Sequence, residues 1–263
     1  MTDPTRPLAG RVALVTGASR RAAIGAAIAR RLAADGAAVM VHSWAPHDAE
    51  QPWGADPGGP EAILDEVRST GAAAAHISAD LAVPGAPEEL VAATRETFGQ
   101  LDIVVANHAR SSSQGLEELT AEELDRCHAV NVRATLLLVR AFASAHRASR
   151  PGGRVLLFTS GQYHGAMPDE LPYIATKAAL HELTRSLAVH LVPRGITVNC
   201  VDPGPNDTGY ASPGMLAEVR RRSPGGRWST PADTAELVAW LAGDGAAWVT
   251  GQTIASDGGW SAL

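Results

Sequence analysis

Tyr173 and Lys177 are the residues of this chain whose types and spacing most directly suggest chemistry. A separation of four residues places two helical side chains on one face, one turn apart. A phenol has a pKa near ~10 in water and exchanges protons poorly at neutral pH, and a nearby ammonium is expected to lower that pKa. The pair therefore predicts a general acid and base.

Lys177 is also the only lysine among the 263 residues, and the other strong bases are all arginines. Lysine carries a compact point charge on a flexible stem, whereas arginine carries a broad planar fork. We interpret the single lysine as a position that requires an ammonium; the alternative is a lysine retained by chance.

Ser160 lies thirteen residues before Tyr173, directly after an apolar segment. Residues at the carboxyl ends of parallel strands face the ligand crevice. A hydroxyl there can donate a hydrogen bond to a carbonyl oxygen and stabilise developing negative charge. The alternative is a serine that only caps the strand end.

The elements that must position these groups alternate along the chain. Apolar segments predict strands at 11–16, 37–42, 74–78, 101–106, 154–159 and 197–201, each buried on both faces, and a short seventh strand at 252–256. Helical patterns lie near 24–35, 60–70, 86–98, 121–147, 173–191 and 231–242. This alternation predicts one doubly wound α/β domain over residues 1–263, with helices on both faces of a parallel sheet of about seven strands.

Two segments lack periodicity. Residues 43–59 are rich in Pro and Gly and are predicted to form a mobile loop or a lid. Residues 204–230 form a second irregular region on the substrate side, in which the run of arginines at 220–222 is interpreted as a solvated helix face.

The segment TGASRRAAIG (16–25) follows the first predicted strand and leads into a helix. Glycines in such a turn let a pyrophosphate approach backbone N–H groups at a helix N-terminus. Only Gly17 and Gly25 are glycines here, so an ordinary strand-to-helix turn stays an alternative. Ser19 and Ile24 complete the candidate contacts of this loop.

The end of the second predicted strand has no carboxylate to bind the adenosine ribose, and Ser43 stands there instead. Arg20 and Arg21 could pair with a 2′-phosphate, which favours NADP(H) over NAD(H). Asp48 could fold back to this place, and two exposed loop arginines are the alternative.

Composition excludes several other classes of function. The net charge of −6 argues against nucleic-acid binding. Cys127 and Cys200 are far apart in apolar contexts, which predicts buried side chains and neither a disulfide framework nor a metal site. The chain has no long apolar run and its N-terminus does not resemble a signal peptide, so we expect a cytoplasmic protein without a membrane span.

Taken together, these features resemble the classical short-chain dehydrogenase/reductase family, close to its 3-oxoacyl-ACP reductases, and the resemblance runs along nearly the whole chain. The matching residues are Thr16, Gly17, Gly25, Asp80, Leu81, Asn107, His108, Ala109, Asn131, Ser160, Tyr173, Lys177, Pro203, Gly204, Pro205 and Thr208. Two departures stand out: the phosphate loop is two residues longer than TGxxxGxG, with Ala23 at its middle glycine, and residues 107–110 read NHAR where usual members have NNAG.

The resemblance implies a Rossmann-type fold and hydride transfer between a nicotinamide and a carbonyl carbon. Tyr173 would exchange the proton, Lys177 would lower its pKa and bind the nicotinamide ribose, and Ser160 would polarise the carbonyl. Asn131 would hold a relay water. The remaining implied cofactor contacts are Asp80, Leu81, Asn107, Pro203, Gly204 and Thr208. The spacing of Tyr173 and Lys177 argues against an enoyl reductase of the related type.

Candidates for substrate contact follow Ser160 or flank the PGP turn, and a packing or surface role is an equally open alternative for each. They are Gln162, His164, Leu171, Asn206, Tyr210 and Met215. The family also implies homodimers or homotetramers through the helices at 121–147 and 173–191. The leading function is an NADP(H)-dependent reductase of a small-molecule ketone or oxoacyl group; an NAD-dependent alcohol dehydrogenase and a non-catalytic dinucleotide sensor are the alternatives.

Overall fold

A parallel sheet of seven strands forms the centre of the computed structural model, which describes residues 6–147 and 152–263. The strands are Val12–Val15 (β1), Ala38–Ser43 (β2), Ala74–Ser78 (β3), Ile103–Ala106 (β4), Gly153–Phe158 (β5), Ile196–Asp202 (β6) and Thr253–Ala255 (β7). Their order is β3-β2-β1-β4-β5-β6-β7, and all six pairings are parallel. The predicted sheet is therefore confirmed, and its strand order reverses between β1 and β4, where a crevice opens at the carboxyl edge.

Helices cover both faces of the sheet. They are Ile24–Ala34 (α1), Ala45–Ala49 (α2), Gly59–Arg68 (α3), Ala86–Phe98 (α4), Ala121–Cys127 (α5), Ala134–Ala145 (α6), Leu171–Leu191 (α7), Pro213–Arg222 (α8) and Pro231–Ala242 (α9). Helices α1, α3 and α9 pack on one face, and α4, α6 and α7 pack on the other. Successive residues of β1 enter opposite cores, because Ala13 and Val15 face one side while Val12 and Leu14 face the other.

The prediction that every early strand is buried on both faces is wrong for β3. This strand forms one edge of the sheet, and its residues are half-buried or exposed, whereas β1, β4, β5 and β6 are buried along their whole length. The apolar composition of the segment does not reveal its position at the edge. The N-terminal residues 1–5, part of the segment in which no signal peptide is expected, lie outside the described residues.

Both segments predicted to be irregular contain helices. Residues 43–59 hold α2, which packs onto the phosphate loop, and residues 204–230 hold α8. The arginines at 220–222 lie on the exposed surface of α8, which confirms the interpretation as a solvated face. No helix within the described ranges combines the length and apolar character that a bilayer span requires.

The long helical pattern at 121–147 is interrupted by a wider, π-helical turn at His128–Arg133, between α5 and α6. Such turns insert one extra residue and often occur at functional sites. This turn contains Asn131, which is completely buried and faces α7. Helix α7 itself begins with Pro172 in its first turn, where the missing N–H costs nothing, and it carries both Tyr173 and Lys177.

Candidate active site

A cavity of about 510 Å³ opens at the carboxyl edge of the sheet, beside the point where the strand order reverses. The phosphate loop, the β2 end with the α2 segment, and the ends of β3 and β4 form its walls. Its lining includes Gly17, Ser19, Arg20, Ala23, His42, Trp44, Asp48, Trp53, Asp80, Leu81, Asn107, His108 and Arg110. A volume of this size suits one half of a dinucleotide.

The phosphate loop requires glycine at both positions that the sequence singled out. Gly17 has φ +71°, and a Cβ there would lie 2.6 Å from the Cα of His108. A Cβ at Gly25 would lie 2.5 Å from the carbonyl oxygen of Gly17. The Nδ2 group of Asn107 donates to the carbonyl oxygens of Thr16 and Gly17, at 3.1 and 3.0 Å. Asn107 therefore fixes the turn as well as lining the cavity.

Two buried histidines, which sequence reasoning did not single out as functional, support this loop. The Nε2 of His42 lies 2.9 Å from the carbonyl of Ala79 and its Nδ1 accepts from Gly17 N–H at 3.3 Å. His108 Nδ1 lies 2.7 Å from Thr16 Oγ1. Burial lowers the pKa of His42 to about 4 and that of His108 to about 3, so both are neutral at physiological pH. The available signals were a histidine at the end of β2 and the unusual NHAR segment.

The two arginines of the phosphate loop have different environments. Arg20 lines the cavity. Its Nε lies 3.4 Å from Asp48 Oδ1, and its Nη1 donates to the carbonyl oxygen of Thr208 at 3.1 Å. Arg21 points away from the cavity and forms a two-pronged ion pair with Asp56, at 3.0–3.2 Å. Only Arg20 is thus placed to meet a ligand there, because Asp56 holds Arg21 on the outer surface.

The other predicted cofactor residues also fall into two groups, those that line the cavity and those that do not. Asp80 and Leu81 line the cavity, and Asp80 Oδ1 accepts the Ala82 N–H at 2.8 Å, which shapes the turn after β3. Ser43 does not line it, because the Ser43 hydroxyl is bonded to His76 Nε2 at 2.8 Å. Ile24 packs into the core beneath α1 and does not line the cavity either.

Lys177 is buried at the junction of α7 and the end of β5, with 2% of its surface exposed. Its Nζ donates to the carbonyl oxygen of Phe158 at 3.0 Å and lies 5.6 Å from the ring centroid of Tyr173. Thr159 Oγ1 donates to the backbone carbonyl of Lys177 at 3.1 Å, which ties the helix to the strand end. Burial lowers the pKa of Lys177 to about 8.

The electrostatics of Tyr173 differ from the expectation. Burial raises the pKa of Tyr173, and a hydrogen bond with the Ser160 hydroxyl opposes that shift. The effect of burial outweighs any effect of Lys177 on this pKa in the free protein, where the Lys177 Nζ donates to the Phe158 carbonyl. The phenol is therefore protonated at neutral pH, which is the form from which it can give a proton.

Asn131 joins the segment after β4 to α7. Its Oδ1 accepts the Arg110 N–H at 2.6 Å, and its Nδ2 donates to the Arg110 carbonyl at 3.1 Å and to Thr176 Oγ1 at 2.9 Å. The amide therefore acts like a strand partner for Arg110, which stands where the usual NNAG segment ends in glycine. The side chain of Arg110 pairs with Glu123 at 2.9 Å.

The PGP turn after β6 needs glycine. Gly204 has φ +59°, and a Cβ there would lie 2.4 Å from the Cβ of Asp257. This turn, which also contains Pro203, leads to Thr208, whose carbonyl accepts from Arg20. Asn206 is buried and donates to Thr234 Oγ1 at 2.9 Å, so it anchors the turn to α9 and does not face the crevice.

The remaining substrate candidates lie around the crevice with different degrees of freedom. Gln162 donates to Thr159 Oγ1 at 2.9 Å, and His164 Nε2 lies 3.3 Å from the buried Asp202. Leu171 begins α7, with its N–H bonded to the Gln114 carbonyl at 3.0 Å. Tyr210 and Met215, which follow the PGP turn in the chain, are each nearly half exposed. Tyr210 packs edge-on against Trp228.

The arrangement can donate a proton to an oxygen atom from Tyr173 while a buried ammonium supplies positive charge close by. Ser160 adds a second donor beside the phenol. The neighbouring cavity offers glycine backbone, Arg20 and the N-terminus of α1 to a phosphorylated ligand. A carbonyl and a dinucleotide fit this combination.

Comparisons with known proteins identify a family of oxidoreductases. A family model described as enoyl-(acyl carrier protein) reductase matches residues 17–261. YjdA of Bacillus subtilis, an uncharacterised oxidoreductase, is 38% identical over 250 residues, which cover 95% of this chain and 96% of YjdA. A short-chain dehydrogenase/reductase from Serratia marcescens superposes with a TM-score of 0.86 at 36% identity, covering 97% of this chain and 99% of that one. The angucycline C-6 ketoreductase LanV, solved with bound NADP, superposes with a TM-score of 0.85 at 34% identity, covering 98% of this chain and 98% of that one.

Gly25→Ala tests the geometry of the phosphate loop. The added methyl would meet the Gly17 carbonyl at 2.5 Å, so the loop or the helix must shift, and we expect a loss of stability of about 1–3 kcal/mol. The measurement is chemical denaturation of the free protein. Gly214→Ala on α8 is the matched control, because no atom lies within 4 Å of its added Cβ. Equal stability of the two variants would contradict this account of the loop.

Proposed function

Because the chain belongs to the short-chain dehydrogenase/reductase family of NAD(P)-dependent oxidoreductases acting on CH–OH and C=O groups, we propose that it reduces a ketone or oxoacyl carbonyl to a secondary alcohol. The observation that carries this proposal is the pair on α7, where half-buried Tyr173 lies beside Ser160 and one helical turn from buried Lys177. Hydride is the chemistry that a bound nicotinamide dinucleotide supplies to such a site.

Tyr173 is the proton donor in this proposal. Its raised pKa keeps the phenol protonated at neutral pH, so it can protonate the carbonyl oxygen as negative charge develops there. The reverse reaction needs the phenolate, which the same environment disfavours.

Ser160 and Lys177 assist that proton transfer from two sides. The Ser160 hydroxyl lies beside the phenol, where it opposes the rise of the Tyr173 pKa, and it is available to orient the carbonyl oxygen. The Lys177 ammonium uses one N–H for Phe158, which leaves donors for the hydroxyls of a ribose. Its positive charge favours the phenolate that remains after the proton has left Tyr173. Asn131 positions α7 through Thr176 and would belong to the path that returns the proton from solvent.

The cavity at the carboxyl edge of the sheet, whose lining does not include Ser160, Tyr173 or Lys177, would hold the adenosine and phosphate part of the cofactor. Gly17 and the N-terminus of α1 offer backbone donors, Asp80 and Leu81 form the wall expected for the adenine, and Asn107 stiffens the loop. Of the two phosphate-loop arginines, Arg20 is the one that lines the cavity, and its guanidinium suits a 2′-phosphate, so we favour NADP(H) over NAD(H). The structural relative LanV, which was solved with NADP bound, supports this proposal.

We also propose that the protein forms homodimers or homotetramers through the outer surfaces of α5, α6 and α7. Val189 and Val192 near the end of α7 are 75% and 48% exposed, although the inner faces of α6 and α7 are buried against the sheet. Covering such apolar side chains is a usual reason for assembly. Light scattering in solution would test this, and a monomeric mass would overturn it.

The two cysteines agree with a cytoplasmic location, which we also propose. Cys127 and Cys200 are both free and buried, as predicted, and free thiols persist in reducing compartments. Fractionation of cells that produce the protein would test the location, and recovery from outside the cytoplasm would contradict it.

Tyr173→Phe tests the assignment of the proton donor. Removing the hydroxyl should lower kcat for reduction of a responsive ketone by at least ~100-fold, while NADPH binding stays nearly unchanged. The assay is a panel of ketones, acyl thioesters and polyketide carbonyls with NADPH. Tyr163→Phe is the matched control. The Tyr163 ring stacks on His181, and its hydroxyl does not belong to the proposed proton path.

Turnover that survives in Tyr173→Phe would contradict the mechanism. NADPH binding by the wild-type protein without turnover of any carbonyl in the panel would instead support the non-catalytic dinucleotide sensor. The two results separate an incorrect residue assignment from an incorrect function.

The pH dependence of reduction tests the ammonium. Burial lowers the pKa of Lys177 to about 8, so the charged form is present below that pH and is lost as the pH rises through it. We expect kcat/KM for ketone reduction, which reports the free enzyme, to fall above about pH 8. The raised pKa of Tyr173 keeps the phenol protonated over the same range. A profile that is level to about pH 10 would contradict a required ammonium.

A further inference from the structure

His164 and Asp202 form a pair at the carboxyl edge of the sheet that the proposed proton transfer does not use. Asp202 is the last residue of β6, and 2% of its surface is exposed. Its Oδ1 accepts the Gly204 N–H at 3.0 Å, and its Oδ2 lies 3.3 Å from Nε2 of His164. A carboxylate that is removed from water needs such partners, so Asp202 holds the imidazole in place.

The pair lies close to the proposed proton donor. From the end of β5 the chain passes through Ser160 into a single 3₁₀ turn at Gly161–Tyr163, and His164 follows that turn. Strands β5 and β6 are paired, and the turn brings His164 back to the end of β6, where Asp202 lies. Burial raises the pKa of Tyr173, and the charge of Asp202 adds a smaller part, so that carboxylate is near the phenol. Ser160 and His164 thus lie at the same end of the crevice.

The two ring nitrogens of His164 have different surroundings. Nε2 faces the Asp202 carboxylate, which fixes a proton on that nitrogen whether the ring is neutral or charged. Nδ1 has no hydrogen-bond partner among residues 6–147 and 152–263, and 27% of the side chain is exposed. The Tyr163 ring, whose centroid lies 3.8 Å from that of His164, restricts the rotation of the imidazole. Nδ1 is therefore the nitrogen that is available to a ligand.

The geometry points to His164 as a substrate-binding residue whose Nδ1 forms a hydrogen bond with a hydroxyl group of the substrate, and to Asp202 as the residue that positions it. Nδ1 accepts a hydrogen bond when the imidazole is neutral and donates one when it is charged. A hydroxyl can both donate and accept, whereas a second carbonyl or an ether oxygen only accepts. The substrate class is therefore a hydroxylated ketone, whose hydroxyl orients the carbonyl toward Tyr173 and Ser160. This inference rests on the proposed function and narrows it.

The test compares acetophenone with its 2′-, 3′- and 4′-hydroxy isomers as substrates of the full-length protein with NADPH. If the panel favours another ketone, that ketone and its hydroxylated derivatives replace these four. The isomers present the hydroxyl at different distances from the carbonyl, and we expect the wild type to prefer one of them to the parent ketone by about tenfold in kcat/KM. His164→Phe keeps a ring against Tyr163 and removes both nitrogens, so the ratio of the two kcat/KM values should fall to about one. A general disturbance of the fold would lower both values and leave their ratio unchanged.

His181→Phe is the matched control. His181 stacks on the same Tyr163 ring, with 4.7 Å between the centroids, but its Nδ1 contacts Glu182, so the ratio should equal that of the wild type. Asp202→Asn removes the charge that fixes the proton on Nε2 of His164 and should also lower the ratio. His164→Leu, which lacks both nitrogens as well, decides the matter if His164→Phe does not fold, as judged by its melting temperature.

Equal kcat/KM values of the wild type for the parent ketone and all its hydroxylated derivatives would overturn the inference while leaving the proposed function in place. A preference that survives in the folded His164 variants would overturn it as well, because the hydroxyl would then be bound elsewhere. An unchanged ratio in Asp202→Asn would overturn the positioning role of Asp202. Failure of the wild type to reduce any carbonyl in the panel would overturn the proposed function itself and the inference with it.

Discussion

The burial of one ammonium, that of Lys177, is the constraint on which the site depends. Removing a charged group from water is unfavourable unless other groups compensate, and the lowered pKa of Lys177 reflects that cost. Within the described residues, no carboxylate forms an ion pair with Lys177. Its Nζ donates a hydrogen bond to the Phe158 carbonyl oxygen. A neutral apolar side chain would be more stable there, so we attribute the retained charge to chemistry at the neighbouring phenol.

Several features of the fold serve to place that charge. The end of β5 supplies the carbonyl that Lys177 binds, and Thr159 returns a hydrogen bond to the helix. The π-helical turn between α5 and α6 directs Asn131 at Thr176, one residue before Lys177. Helix α7 is thus fixed to the sheet and to the α5–α6 segment, so that Tyr173, Ser160 and Lys177 keep their relative positions as a ligand enters.

Much of this arrangement could be predicted from the sequence, because it depends on local signals. Short apolar segments between helical patterns indicated the parallel sheet, and the spacing of Tyr173 and Lys177 indicated one helix face. Properties that depend on tertiary surroundings could not be predicted. The edge position of β3, the turning of Ser43 toward His76 and the pairing of Arg21 with Asp56 all depend on which segments become neighbours.

The pKa of Tyr173 failed as a prediction for the same reason. Spacing shows that an ammonium lies one turn away, but it shows neither the direction of the Lys177 Nζ nor how far the phenol is removed from water. The structure supplies both, and it shows a raised pKa for Tyr173 where the sequence predicted a lowered one. Asp48 is a different case, because the sequence left its folding back open as an alternative, and in the structure it contacts Ser19 and Arg20 of the phosphate loop.

The most direct test of the central claim replaces the ammonium by another cation. Lys177→Arg keeps a positive charge but changes its shape, and Lys177→Met keeps much of the shape without the charge. The account predicts that both variants bind NADPH and lose at least ~100-fold in kcat/KM for ketone reduction, provided that their melting temperatures show a folded protein. Reduction at near wild-type rates by either folded variant would contradict a required ammonium at this position.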